Sequence, residues 1–202
     1  MKLARRLLAA TVVATAATAA ATAASAACEA GKPGEDLTLD DAQALYECLA
    51  PQMLAGYKKG PKMWIPADRA EDYRGWTAAN TRPARPGFHS NRYLSTWVNP
   101  VGAAEYLRYD EDNAKMPAGS IIAKESFDVS KDGKATPGPL FFMEKVAQGV
   151  SPESGDWYFY MIAANGKPQA VDVMTACVEC HMGNFGYRDS LGFPVEEVRL
   201  PH

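Results

Sequence analysis

The chain has 202 residues, of which 47% are hydrophobic and 22% are charged, and its formal net charge is −3 at pH 7. This length is sufficient for one domain with a hydrophobic core, and the slightly acidic balance gives no support for nucleic-acid binding. Outside the N-terminal segment, no apolar stretch is long enough to span a bilayer.

The N-terminal segment has the three parts of a secretory signal peptide: a basic start, an Ala-rich apolar stretch and a small-x-small triplet at 24–26. We therefore expect residues 1–26 to be cleaved, the protein to reach the periplasm, and residues 27–202 to form a single domain. A membrane anchor is less favoured because the stretch is mostly Ala and Thr. Lipoprotein processing at Cys28 is less favoured because Ser25 stands where a large aliphatic residue is expected. Cleavage leaves 18 of the 21 Lys and Arg against 24 Asp and Glu, a net charge of about −6.

A helix is predicted over about 39–57, with Thr38 as its N-cap and Asp41 three residues further on. Pro51 is expected to kink or end it. Cys28 and Cys48 should form a disulfide in an oxidising compartment, which would contribute about 3 kcal/mol in the chain-entropy model. The alternative is one buried and one exposed free thiol.

The rest of the chain alternates between strand and helix signals. We predict short helices at 72–79 and 101–108, strands at 91–99, 120–127, 140–147 and 157–163, a hairpin turn at Asn165-Gly166, and a last helix at about 173–182. A helix first, antiparallel strands in the middle and a helix last indicate an α+β fold with a mostly antiparallel sheet and packed helices.

The last helix carries Cys-Val-Glu-Cys-His at 177–181, the C-x-x-C-H signature of c-type haem attachment. On a helix Cys177, Cys180 and His181 share a face, so two thiols can reach the haem vinyl groups while the imidazole reaches the iron. A buried Cys pair, a redox C-x-x-C motif and half of a zinc site are the alternatives. A redox motif does not need the His, and zinc would need further Cys or His at ligand spacing. Because the chain also carries an export signal, the interpretation we favour is one covalently bound haem c.

Six stretches occur in the order typical of one cytochrome family. They are YRGW (73–76), RYLSTWVN (92–99), AGSIIAKESF (118–127), GDWYFYMI (155–162), TACVECH (175–181) and FP (193–194). In these motifs the chain resembles the cytochrome P-460 family, which includes the related β-sheet cytochromes c′. The resemblance implies a mostly antiparallel β fold, often a homodimer, and a haem c with His181 as the only protein ligand to the iron.

The resemblance bears most on Lys124. In P-460 members a strand lysine that precedes a glutamate is joined covalently to a haem meso carbon, and Lys124 precedes Glu125 in the same way. Strand alternation puts Ile122, Lys124 and Ser126 on one face. A Lys124 side chain desolvated against a porphyrin would have a more nucleophilic amine. The alternative is an ammonium group that reaches water, with the aliphatic part of the side chain on apolar surface and no role at the haem. The β-sheet cytochromes c′ lack the cross-link, so both outcomes stay open.

Acidic residues near the motifs are candidates for moving protons. Asp172 lies five residues before Cys177, where a carboxylate could act as a proton relay over the iron or could simply favour the helix N-terminus. Glu125, Glu144 and Asp128 are weaker candidates for the same role.

Other side chains could complete a haem pocket. His89 is a candidate sixth ligand or distal hydrogen-bonding group, although a lone His in a Pro/Gly loop is more often structural. Thioether ligands could come from Met143, Met161 or Met174, for which core packing is the alternative. Arg92 and Arg188 are candidates to pair with haem propionates.

These residues support three functions. The resemblance implies hydroxylamine oxidation to nitric oxide or nitrous oxide at a five-coordinate haem, with electrons passing to a soluble cytochrome or another periplasmic acceptor. The second function is non-catalytic binding of nitric oxide or another gas, as in cytochromes c′. The third is simple electron transfer, which needs a sixth ligand that the sequence does not single out. Lys124 favours the enzyme.

Overall fold

A six-stranded antiparallel sheet organises the molecule, as seen in a computed structural model that describes residues 28–85 and 87–200. The predicted signal peptide lies outside the described residues. The strand order is β1-β2-β3-β5-β6, and β4 pairs with the far end of β3. The strands are β1 Thr77–Ala78, β2 Tyr93–Val98, β3 Ile121–Val129, β4 Ala135–Pro137, β5 Leu140–Lys145 and β6 Trp157–Ile162.

Within the described residues four α-helices accompany the sheet: α1 Leu39–Tyr57, α2 Asp68–Asp72, α3 Ala103–Tyr106 and α4 Glu179–Phe185. A 3₁₀ turn, Tyr73–Gly75, continues α2, and a π turn, Met174–Val178, leads into α4. The predicted α+β class is confirmed. Within the described ranges, none of the helices combines the length and the apolar character that crossing a bilayer requires.

The predicted N-terminal helix has the predicted start. The Thr38 backbone N–H donates to the Asp41 carboxylate at 2.8 Å, and the Asp41 backbone N–H donates to the Thr38 hydroxyl at 3.2 Å, a complete capping box. A hydrogen bond from Lys32 is the main cause that lowers the pKa of Asp41 to about 2. Pro51 does not end α1, which continues to Tyr57.

The predicted disulfide between Cys28 and Cys48 is confirmed, with 5.9 Å between the Cα atoms. It ties the N-terminal segment to the middle of α1. That segment also pairs with the strand end around β4, since the Ala135 backbone N–H donates to the Cys28 carbonyl at 2.8 Å. The disulfide therefore fastens the start of the described chain to both a helix and the sheet.

Several element boundaries differ from the prediction. The helix predicted at 72–79 is wrong in its position, because α2 begins at Asp68 and the chain already pairs as β1 from Thr77. Strand β2 begins at Tyr93 rather than 91, because Asn91 has a φ of +58°, outside the strand region. The three-residue strand β4 was not predicted.

The Asn165-Gly166 turn is confirmed by a 2.8 Å hydrogen bond from the Gly166 N–H to the Ala163 carbonyl. Gly166 has a φ of +86°, and a Cβ atom there would lie 2.1 Å from the Lys59 carbonyl oxygen. Glycine is therefore required both for the backbone conformation and for the close approach of the segment that follows α1.

The two faces of the sheet bury two separate hydrophobic clusters. Ile121, Ala123 and Phe127 of β3 pack with the apolar face of α1. The alternate residue Ile122 belongs to the second cluster, which includes Val178 of the π turn and Leu191 beyond α4. The predicted alternation along β3 is thus confirmed, and the C-terminal helix covers the face that carries Ile122 and Lys124.

Candidate haem site

A cavity of about 680 Å³ lies on the face of the sheet that α4 covers. This volume is within the range of small-molecule and cofactor sites, about 300–1,000 Å³. Sheet residues, the segment that precedes β2, α4 and the C-terminal segment all contribute to its walls. The apolar part of the lining includes Phe88, Leu94, Ile122, Phe141, Met143, Phe159, Met161, Phe185 and Phe193.

Cys177, Cys180 and His181 all line this cavity. Cys177 is half-buried, Cys180 is exposed, and His181 is only 8% exposed. Cys177 lies in the π turn rather than in a regular α-helix, a feature that the sequence pattern did not predict and that is frequent at functional sites. The two thiols and the imidazole nevertheless border the same space, as the C-x-x-C-H motif predicts.

The orientation of His181 is set by one hydrogen bond. Its Nδ1 lies 2.8 Å from the Ser190 carbonyl oxygen, which can only accept, so Nδ1 carries the hydrogen and Nε2 keeps its lone pair. Burial, aided by the charge of Lys124, lowers the pKa of His181 to about 4. The ring is therefore neutral near pH 7, which is the form that binds a metal ion.

The loop after α4 holds that carbonyl in place. Asp189 and Ser190 have φ values of +57° and +63°. The Asp189 carboxylate bonds to Lys145 Nζ at 2.6 Å and accepts the Met116 backbone N–H at 2.8 Å, while the Asp189 carbonyl accepts Trp157 Nε1–H at 3.0 Å. Neither residue stands in a recognisable motif, so no sequence pattern indicates this support for the histidine.

Lys124 also lines the cavity, and its side chain is only 7% exposed. Its Nζ donates to the Gly192 carbonyl at 2.8 Å. Burial lowers the pKa of Lys124 to about 8, so the amine releases its proton more readily than an exposed lysine does. Lys124 pairs with Thr96 of β2 and Phe141 of β5, which line the same cavity.

Three buried side-chain nitrogens in the described part of the chain lack a hydrogen-bond partner: His89 Nδ1, Arg92 Nε and Arg188 Nε. All three residues line the cavity. Because buried polar atoms without partners are rare in native proteins, their concentration in one place indicates that a polar ligand belongs there. Guanidinium groups fit the propionate carboxylates of haem, and the apolar walls fit its macrocycle.

Comparison with known families agrees with this geometry. The model of the family described as Cytochrome P460 matches residues 70–191, more than half of the chain, from α2 to the loop after α4. The chain belongs to the cytochrome P460 family. No curated protein matches the sequence. Membership of the cytochrome P460 family implies a haem cofactor, and the cavity residues fit it.

The acidic candidates lie away from this P460 haem cavity. Asp172 is exposed and caps its own helix, accepting from the Met174 backbone N–H at 3.2 Å and the Thr175 hydroxyl at 2.9 Å. Asp128 is also exposed. Glu125 and Glu144 form hydrogen-bonded networks elsewhere. Among the described residues, the cavity lining includes no Asp or Glu, so these positions give no support to the predicted carboxylate relay.

Glu125 is buried on the opposite face of β3 from Lys124. Its carboxylate accepts hydrogen bonds from Tyr46 at 2.8 Å, from Tyr73 and from Arg74 Nε at 2.6 Å. Burial and the Glu125 charge raise the pKa of both tyrosines, which stay protonated donors. Glu125 therefore joins the sheet to α1 and to the 3₁₀ turn that continues α2.

The remaining candidates divide between the cavity and the surface. Met143 and Met161 line the cavity, whereas Met174 is 42% exposed and does not. Arg188 lines the cavity while pairing with Glu111. His89, which looked like a loop histidine from its sequence context, borders the cavity, and burial is the main cause that lowers its pKa to about 3.

Proposed function

We propose that this protein is a periplasmic enzyme of the cytochrome P460 type that oxidises hydroxylamine to nitric oxide or nitrous oxide at one covalently bound haem c. The observation that carries the proposal is Lys124, an amine buried in the cavity wall at the motif position where P-460 members have their haem-linked lysine. When bound, haem supplies an iron that accepts electrons from a small nitrogen compound.

Two groups of residues would hold the cofactor. Cys177 and Cys180 would form the thioethers, since both thiols border the cavity in the attachment motif. His181 would bind the iron through Nε2, because Nδ1 is engaged by the Ser190 carbonyl. That hydrogen bond fixes the tautomer and makes the imidazole a stronger donor.

Lys124 contributes a group that can hold or release a proton close to neutral pH. Its pKa of about 8 matches the requirement that a proton-transfer group titrate near the working pH. Its neutral form is also the nucleophile for a bond from Nζ to a haem meso carbon, which replaces the meso C–H, releases two protons and would need a two-electron oxidant such as a peroxide. The 2.8 Å hydrogen bond to Gly192 holds Nζ at the cavity wall in either case.

The cellular setting proposed here follows from the N-terminal sequence and the disulfide. A cleaved signal peptide over 1–26 would export the chain, and the Cys28–Cys48 disulfide is consistent with an oxidising compartment. Electrons would leave to a soluble cytochrome or another periplasmic acceptor, and we propose no membrane anchor and no nucleic-acid partner. A homodimer is the expected assembly on the family resemblance.

The decisive experiment combines mass spectrometry with turnover on the purified, haem-loaded protein. We expect haem attached to a peptide containing Cys177 and Cys180, a second attachment at Lys124, and oxidation of hydroxylamine with an added electron acceptor. Lys124→Ala should lower turnover on the order of 100-fold, whereas Lys131→Ala, at an exposed lysine after β3, should not. A haem-loaded parent protein that does not oxidise hydroxylamine would refute the enzymatic proposal.

Nitric oxide binding without turnover is the second candidate, and a specific observation favours it. The described cavity lining is rich in Phe and Met and includes no carboxylate, so it suits a small uncharged gas. In this case nitric oxide would change the absorption spectrum of the haem-loaded protein, while hydroxylamine would not be consumed and Lys124 would be recovered as a free lysine peptide.

A further inference from the structure

A largely buried ion pair fastens the loop after α4 to the sheet, and the proposed function gives it no role. Lys145 Nζ bonds to the Asp189 carboxylate at 2.6 Å, and the two side chains are only 14% and 12% exposed. Lys145 ends β5, whereas Asp189 directly precedes Ser190, whose carbonyl accepts the His181 Nδ1–H. The pair therefore connects the sheet to the backbone that orients the proposed iron ligand.

The carboxylate and the carbonyl of Asp189 are engaged by three different segments. One carboxylate oxygen bonds to Lys145, and the other accepts the Met116 backbone N–H at 2.8 Å. The carbonyl accepts Trp157 Nε1–H at 3.0 Å. Hydrogen bonds from outside the loop thus fix the peptide unit next to Ser190, which restricts how far the carbonyl of that residue can turn.

Lys145 is itself held in place by the sheet. Its Nζ also donates to the Gly155 carbonyl at 2.9 Å and lies 5.0 Å from the centre of the Trp157 ring, within the range of a cation–π contact. Trp157 is 1% exposed and pairs with Lys145 in the ladder between β5 and β6. The indole therefore contacts both members of the ion pair, one through its ring face and the other through its N–H.

The loop needs these contacts because its backbone is unfavourable on its own. Asp189 and Ser190 have φ values of +57° and +63°, the left-handed region that successive residues with side chains rarely adopt. Strain of this kind persists only where the surrounding structure enforces it. Without the ion pair the loop could relax, and the Ser190 carbonyl would then turn away from His181 Nδ1.

The position of this carbonyl bears on the iron through the imidazole. A well-aligned hydrogen bond at Nδ1 leaves more electron density on Nε2 and makes His181 a stronger ligand. A stronger ligand favours the ferric state and lowers the reduction potential, for which hydrogen bonding beyond the ligand is a recognised control. A residue that fixes the Ser190 carbonyl therefore acts on the iron without touching it.

We propose that Lys145 and Asp189 are positioning residues for the haem iron. Their ion pair holds the Ser190 carbonyl against His181 and thereby sets the strength of the bond between iron and histidine and the reduction potential. This inference rests on the haem and the His181 ligand of the proposed function but not on its substrate. It assigns control of the iron to a charged pair that the sheet contributes, in addition to the haem-binding helix itself.

Resonance Raman spectroscopy and redox titration of the full haem-loaded protein test the inference. Asp189→Asn leaves one acceptor oxygen for two donors, Lys145 Nζ and the Met116 N–H, while asparagine still tolerates a left-handed backbone. In the ferrous protein we expect the iron–histidine stretching band to move to lower frequency and the reduction potential to become more positive. Lys145→Met should shift both in the same direction. Lys145→Arg, which keeps the charge, should stay close to the parent.

Glu144→Gln is the matched control for these two readouts. Glu144 precedes Lys145 on β5 but pairs with Arg69 rather than with the loop. This variant should keep the parent band and the parent potential even where it lowers the thermal stability. The double variant K145M/D189N should shift the band no further than the larger single shift, because the two residues act as one unit.

The same measurements distinguish a positioning role from a purely structural one. If Asp189→Asn and Lys145→Met lower the Tm but keep the parent band and potential, the inference is wrong. Lys145→Gln, which has no charge but can still donate to the Gly155 carbonyl, replaces Lys145→Met if that variant incorporates little haem. Since no hydroxylamine is used, the outcome is independent of whether the protein turns it over.

Discussion

The buried carboxylate of Glu125 provides a quantitative test of how the sheet is joined to the helices. Glu125→Gln keeps the shape but removes the charge that compensates Arg74, and it places amide hydrogens against the hydroxyl donors of Tyr46 and Tyr73. Glu125 is 1% exposed and Arg74 is 23% exposed, so water compensates the arginine only in part. Breaking a buried ion pair costs about 3–5 kcal/mol, and the partial exposure of Arg74 points to the lower end, about 3 kcal/mol.

The assay is urea and thermal unfolding of the haem-loaded protein, followed by circular dichroism. For a domain of this size about 3 kcal/mol corresponds to a fall in Tm of roughly 6–12 °C. Adding Arg74→Met to Glu125→Gln should cost little more, or should recover part of the loss, because the uncompensated charge is then gone.

Glu144→Gln is the matched control. Arg69 Nη2 donates to both carboxylate oxygens of Glu144 at 3.1 Å, and the Tyr160 hydroxyl donates to one of them at 2.9 Å. Glu144 is, however, 24% exposed. We expect a loss of about 1 kcal/mol. If Glu125→Gln costs no more than Glu144→Gln, the reasoning from burial is wrong.

Three further predictions concern stability. Asp41 has a pKa of about 2 in the folded protein. Its carboxylate therefore stabilises the fold at any pH above the pKa of Asp41 in the unfolded chain, and this contribution is lost as the pH falls toward 2. D41N should accordingly make the free energy of unfolding depend less on pH in this acidic range. Reducing the Cys28–Cys48 disulfide should cost about 3 kcal/mol, a loss that a C28A/C48A variant should reproduce without reductant. Gly166→Ala should destabilise the folded protein more than Gly149→Ala. Both glycines have a positive φ, but of the two only a Cβ at position 166 would meet backbone atoms. Equal unfolding midpoints for the two variants would contradict this account.

The sequence pattern predicted those elements of the fold that depend on interactions between residues close together in the chain. The Thr38–Asp41 capping box located the start of α1, and the alternation of Ile122, Lys124 and their neighbours assigned the two faces of β3. The Asn165-Gly166 turn followed from the preference of glycine for positive φ. In each case the physical cause acts within a few residues, so the sequence pattern carries it.

The site itself depends on contacts between distant segments. His89 and His181 lie far apart in the chain, and no local pattern indicates that both border one cavity with 6.1 Å between their ring centroids. The support of His181 by Ser190 depends on the left-handed backbone of the loop after α4, which is held by Lys145 and Trp157 from the sheet. Asp172 shows the opposite case: a position near the motif suggested chemistry, whereas its hydrogen bonds are those of a helix cap.

Adjacent residues of β3 place opposite charges on opposite sides of one sheet. Lys124, opposite Thr96, points to the cavity, and Glu125, opposite Ser95, points to Tyr46 of α1 and Tyr73 of the 3₁₀ turn. A register slip of one residue would exchange them, leaving a carboxylate in the cavity and an amine among hydroxyl and guanidinium donors. Correct strand pairing and a competent cofactor pocket are thus inseparable, and a single-residue insertion or deletion within β3 should abolish both together.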